Sequence, residues 1–239
     1  MLDYLQPEEL LFLDIETVPE HPTFQNLPAE LQPLFLKKTE RLRNNNESDD
    51  EHYFNHAGIY AEFGKVVCIS MAYLKKNNDT YQLLLKSLAA DDERVVLENF
   101  LHIITQEKFS KMKFCGHNIR EFDIPFLCRR LLIQNMSVPE NLDFSGKKPW
   151  EVPLIDTLQL WSFGDKKHYT SLKLLALLLG IDSPKEEMDG KDVGRVYWIE
   201  KNLPRIVEYC EKDVITVAQL VLRFKRIPLL LPEHIRRSP

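Results

Sequence analysis

The stretch LLFLDIETVPE (residues 10–20) runs four apolar residues directly into Asp14, with Glu16 two positions later. Residues 10–14 read as a buried strand. In an extended chain, side chains two apart leave by the same face, so Asp14 and Glu16 point the same way. By itself the stretch fits two readings. Either the strand reaches solvent at its end, or the acids are held for a cation, because close like charges repel unless a cation lies between them.

The rest of the chain bounds the choice. Its 239 residues are 44% hydrophobic and 28% charged, ordinary for a globular protein able to bury a sizeable core. The net charge of −5 argues against a broadly basic coat for nucleic acid but allows a local basic groove. Cys68, Cys115, Cys128 and Cys210 form no CxxC pair, which disfavours a zinc ribbon and fits thiols in a reducing compartment. Cys115-Gly-His117 supplies two ligand types without partners. The start of the chain lacks a signal peptide's basic and apolar regions, and no run approaches the ~20 apolar residues of a membrane span. A cytoplasmic location with no membrane partner is expected.

Strand patterns fall at 10–14, 65–73, 81–86, 113–115 and 152–155, with a turn over 77–79. Helical patterns fall at 29–43, from Asp91 or Asp92 to Thr105, after the Gly-His-Asn loop at 116–118, at 171–179 before Gly180, and at 202–226 with Pro204 in the first turn. This alternation indicates an α/β fold with a mixed sheet. One domain over 1–239 is expected, with a proline-punctuated insertion at about 19–56. Within it, RNNNESDDEH (43–52) is polar and aperiodic and is expected to be a mobile loop. The final PLLLPEHIRRSP receives no element.

The last helix holds a second anomaly. With Ile206 at zero on a helical wheel, Cys210, Val214, Val217, Val221 and Phe224 fall within roughly 80° of it. Asp213 falls at about −20°, inside this apolar stripe, and Tyr209 lies one turn before it. An isolated buried carboxylate costs several kcal/mol or becomes neutral. A salt bridge, a cap or a cation would each relieve it. Asp123, in NIREFD, is a third candidate, although acids also favour a helix's first turn through the dipole.

Taken in order, the chain shows D-x-E after a strand (Asp14, Glu16), N-x-x-x-F-D at a loop-to-helix junction (Asn118, Phe122, Asp123) and Y-x-x-x-D on a late helix (Tyr209, Asp213). This resembles the three motifs of the DEDD superfamily of 3′–5′ exonucleases, tyrosine subclass, and within it the proofreading exonuclease domain of family-B DNA polymerases and its stand-alone predicted homologues. LIDTLQLW (154–161), SLKLLALLLGI (171–181) and HAGIYAEFGKVVCISMAY (56–73) agree with that group, and the resemblance spans about 10–226.

The resemblance implies a ribonuclease H-like fold and a single-stranded or frayed DNA substrate, digested from the 3′ end to nucleoside 5′-monophosphates. It implies two divalent ions, Mg²⁺ or Mn²⁺, on Asp14, Glu16, Asp123 and Asp213, with Tyr209 orienting the attacking water. Thr17, His117, Asn118 and Phe122 are candidate substrate contacts, Phe122 being equally suited to core packing. Arg120, Arg129, Arg130, Arg223, Lys225, Arg226, Arg236 and Arg237 are candidates to follow the phosphates. The chain is expected to turn at 17–19, leading the insertion to the mouth of the site, where it would guide the 3′ end. RNA is the alternative substrate, since the superfamily serves both acids, and a non-catalytic nucleic-acid-binding module is the second alternative. The remaining length holds no polymerase, so a proofreading-type domain is expected to act alone or with a separate polymerase or repair partner.

Overall fold

The stretch at 10–20 forms the middle of a mixed sheet. The computed structural model describes residues 4–78, 80–165, 169–182 and 188–238. Six strands, β1 (Leu10–Pro19), β2 (Gly64–Asn77), β3 (Thr80–Ala89), β4 (Lys113–Gly116), β5 (Ile155–Asp156) and β6 (Ile235–Arg237), lie in the order β5-β4-β1-β2-β3-β6. β1 and β3 pair antiparallel with β2, whereas β4, β5 and β6 join in parallel. The helices are α1 (Gln32–Thr39), α2 (Asp49–His56), α3 (Glu93–Ile104), α4 (Glu107–Ser110), α5 (Asp123–Ile133), α6 (Thr157–Ser162), α7 (Leu172–Leu178), α8 (Val193–Trp198) and α9 (Leu203–Phe224). This is an α/β, ribonuclease H-like arrangement.

Helices cover both faces of the sheet, so its central strands read as nearly continuous apolar runs. Leu11, Leu13 and Ile15 of β1 pack with Phe100 of α3 and Leu127 of α5. Leu10 and Phe12 pack on the opposite face with Val214, Val217 and Val221 of α9. Asp14 and Glu16 continue this even-numbered row and therefore point toward α9. Helix α9 forms as its pattern indicates, with Asn202 Oδ1 accepting from the Arg205 amide at 3.2 Å and Pro204 in the first turn.

Several expectations need correction. No turn interrupts 17–19: β1 continues to Pro19, opposite Gly64, after a register shift between Glu16 and Thr17. The pairing continues because β2 extends below Lys65 to meet it. The expected mobile loop at 43–52 contains the start of α2, whose capping box holds it: the Ser48 hydroxyl accepts from the Glu51 amide at 3.3 Å, and the Glu51 carboxylate accepts from the Ser48 amide at 3.0 Å. The predicted strand at 152–155 shrinks to Ile155–Asp156, because the Arg120 guanidinium takes the carbonyls of Val152 and Leu154 that a ladder would need. The unassigned tail supplies β6, which covers an edge of β3. At the predicted 77–79 turn Asn78 is left-handed (φ 53°), whereas Asp79 lies outside the described residues. No helix among the described residues is long and apolar enough to cross a membrane.

Candidate active site

Three separate elements bring the acids together. β1 presents Asp14, half-buried, and Glu16, buried, opposite Ser70 and Cys68 of β2. α9 lays Cys210 against them: its thiol donates to the Asp14 carbonyl and to Asp14 Oδ2, each at 3.4 Å. Ligand atoms of Asp14, Glu16 and Cys210 all lie within 4.8 Å of one another. The short parallel ladder between β1 and β4 stops at Phe12, so the Ile15 amide beyond it needs another acceptor. Asp123, buried in the first turn of α5, supplies one through Oδ1 at 3.2 Å. Asp14, Tyr209 and Asp213 line one cleft with His117, Tyr169 and Thr216.

The electrostatics follow from this convergence. Burial, then the charges of Asp123 and Asp213, push the Asp14 carboxyl well above the usual carboxylate range. Burial, then Asp14 and Asp213, do the same to Glu16. Burial lifts Asp123 to about 7, although hydrogen bonds from its own amide and that of Ile15 oppose the rise. Groups that each oppose the ionisation of the others are stabilised in common by a cation; burial keeps the Cys210 thiol protonated, so the carboxylates are the charged donors, and these suit hard divalent ions. The donor set therefore fits the metals expected of such a site.

Residues 59–233 match the family described as predicted 3′–5′ exonucleases related to the exonuclease domain of PolB. The chain belongs to this family. No curated protein matches it. Among solved structures, the family B DNA polymerase from the hyperthermophilic archaeon Pyrobaculum calidifontis aligns at a TM-score of 0.54 and 16% identity, over 89% of this chain. The chain spans 24% of that polymerase's length, and the likeness carries the fold alone.

The outlying candidates of this chain separate clearly. His117 lines the acidic cleft, but both its ring nitrogens are engaged, with the Thr157 hydroxyl at 3.0 Å and the Thr170 carbonyl at 2.9 Å. Burial lowers its pKa, which favours the neutral ring. Asn118, left-handed at φ 63°, anchors its amide on Asp156 and borders a second, larger cleft. Thr17 spends its hydroxyl on the Gly58 carbonyl at 2.7 Å. Phe122 packs against the core under α5, 5.5 Å from the Phe126 ring, so its packing role is the one realised.

Arg130 is not a phosphate contact. It is fully buried and bonds Glu93, Glu20 and the Ala61 carbonyl, bracing residues 20–63 against α3. Arg120 is committed to three carbonyls, and Arg237 bonds Glu211 at 2.6 Å. No described residue of 20–63 lines either cleft.

Two features escaped the motif reading. Asp156, buried, accepts from the amides of Asn118, Arg120 and Leu158, and so fixes the loop that delivers Asp123. Its signal was its place as N-cap of the helix after a strand in LIDTL. Tyr169 lines both clefts, and the larger one adds Trp150, Arg129 and Lys147. Trp150 is 77% exposed and Tyr169 68%.

Proposed function

We propose that this chain is a metal-dependent 3′–5′ exonuclease that trims single-stranded or frayed DNA to nucleoside 5′-monophosphates. The convergence of Asp14, Glu16, Asp123 and Asp213 from β1, α5 and α9 on one place carries this reading. These four carboxylates would hold two divalent cations, Mg²⁺ or Mn²⁺. When bound, such ions supply a water of lowered pKa and positive charge for the leaving 3′ oxygen.

The chain's own residues complete the arrangement. Tyr209, on the wall beside Asp14 and Asp213, orients the attacking water through its hydroxyl. A phenol titrating near 10 is a poor base at neutral pH, so positioning is its economical role. Asp156 keeps Asp123 in register with β1. His117, neutral and held at both nitrogens, supports the cleft wall and leaves the acids to carry the charge.

Trp150 and Tyr169, with Arg129 and Lys147 nearby, offer what a single strand needs: stacking faces and scattered cations. Trp150→Ala should raise KM about 10-fold while kcat stays nearly constant, from a stacking loss of ~1–3 kcal/mol. Steady-state digestion of a fluorescent oligomer checks this, and an unchanged KM removes Trp150 from the substrate path.

The activity itself is tested with a 5′-labelled single strand in Mg²⁺ or Mn²⁺. A ladder shortening from the 3′ end, lost in EDTA, with mononucleotide 5′-phosphates released, is expected. Digestion that persists in EDTA, or no turnover in either metal, defeats the proposal. A matched RNA oligomer run in parallel tests the preference for DNA.

A further inference from the structure

Residues 20–63 contain a second group of ligand-type side chains, set in a small core of their own with Phe35 and Tyr53. His52 and His56 sit one turn apart on α2, and Glu47 lies just before its N-cap, Ser48. One ligand atom from each lies within 4.8 Å of the other two. His52 is fully buried and Glu47 is half-buried.

Counting protons exposes a conflict. The Phe35 carbonyl can only accept, and the Thr39 hydroxyl lies 2.8 Å from it, so the single hydroxyl proton goes there. His52 Nε2 stands 2.7 Å from the same oxygen and must therefore donate to it. A neutral His52 then has a bare lone pair on Nδ1. That atom faces Glu47 Oε2 at 3.0 Å. Two lone pairs at this distance repel unless a cation joins them.

The neighbourhood favours a metal over a proton. A protonated His52 would place a positive ring against a second imidazole, with the His56 ring centroid only 4.8 Å away. A metal instead uses His56 as a third ligand. The supporting contacts are those of a built site: Asn55 Nδ2 donates to Glu47 Oε1 at 2.8 Å, and Nε2–H of His52 is tied through Thr39 to a main-chain carbonyl.

We propose that Glu47, His52 and His56 bind one Zn²⁺, which pins the approach to α2 onto the helix. Two imidazoles and one carboxylate select a zinc-class ion over Mg²⁺, which distinguishes this site from the all-carboxylate cleft. Three protein ligands leave one position, which water fills from the solvent side. The site is independent of the nuclease reading and would exist in an inactive chain.

The full-length chain carrying Asp14→Asn and Asp213→Asn, stripped with chelator, removes the acidic cleft as a competitor. Titration with Zn²⁺ against a chromophoric chelator should show one equivalent bound in the presence of excess Mg²⁺, and Co²⁺ should give visible d–d bands. Adding His56→Ala or Glu47→Gln should weaken Zn²⁺ by more than about 100-fold, beyond what loss of a supporting contact does. Circular dichroism should show the fold unchanged. His56→Ala in the otherwise native chain should leave Mg²⁺-dependent digestion intact. Zn²⁺ binding that His56→Ala and Glu47→Gln do not alter overturns the proposal. So does a His52 ring with protons on both nitrogens, read by ¹⁵N NMR in saturating Zn²⁺.

Discussion

Asp14→Ala should lower the rate of 3′-end digestion at least ~10³-fold in saturating Mg²⁺, a loss at or above that of removing one strong electrostatic contact from a buried reaction centre. Asp14 is the acid whose charge is felt at Glu16 and which in turn feels Asp123 and Asp213, so it sits electrically between the contributions of α5 and α9. Its removal leaves Glu16 as the one acid of β1 facing the charges of Asp213 and Asp123. The fold should survive, because the deleted carboxyl is one that burial and like charge oppose. The melting temperature in EDTA should hold or rise. Tyr209→Phe is the graded companion: the ring remains on the wall and only the hydroxyl goes. A fall in kcat of about 10- to 100-fold with KM unchanged is expected, less than the ~10²–10⁴-fold of a group that itself transfers the proton. An Asp14→Ala chain of native activity would end the nuclease reading, and a fully active Tyr209→Phe would end the role assigned to the hydroxyl alone.

The acids were legible because each breaks a local rule. Asp14 and Glu16 follow a strand that should stay apolar, and Asp213 interrupts the apolar stripe of the longest helix. A rule-breaking residue is visible wherever the periodicity around it is strong. Asp156 breaks nothing: as an N-cap after a strand it has a sufficient local reason, and its reach to the loop before Asp123 exists only after β4 and β5 pair. Arg130 misled for the converse reason, since a basic residue next to another on a helix normally faces solvent. Here the side chain turns inward because Glu93 and Glu20 meet it from different elements. The strand β6 was illegible because three residues acquire strand geometry only against the edge of β3. Helix α2 carried a signal that was missed: Ser48-x-x-Glu51 is a capping box, but the low hydrophobicity around it masked the helix.

Stability in EDTA should fall as pH rises from about 5 to 8, and divalent metal should cancel most of the fall. Asp123 decides the sign. Its folded carboxyl titrates near 7, raised from the ordinary 3.8, whereas the unfolded chain releases that proton near 3.9. Between those values the folded state binds more protons than the unfolded state, so stability decreases with pH and levels off above 7. A raised pKa of this size on a side chain only 3% exposed corresponds to on the order of 4 kcal/mol. Asp14 and Glu16, also raised, act in the same direction. A divalent ion held by these acids would replace the missing protons as counter-charge, so the gain in melting temperature on adding metal should be larger at pH 8 than at pH 5. At 100-fold excess over Kd the stabilisation by bound metal is about 2.7 kcal/mol. Asp123→Asn isolates the effect from the titration of the histidines, because its amide oxygen can still accept from Ile15 without carrying charge. In EDTA this variant should show a flatter pH profile than the native chain and a higher melting temperature at pH 8. Thermal scans across pH, with EDTA and with each metal, measure both chains. Parallel native and Asp123→Asn profiles would mean that Asp123 ionises at ordinary pH, and that its carboxylate is stabilised by the fold without a metal.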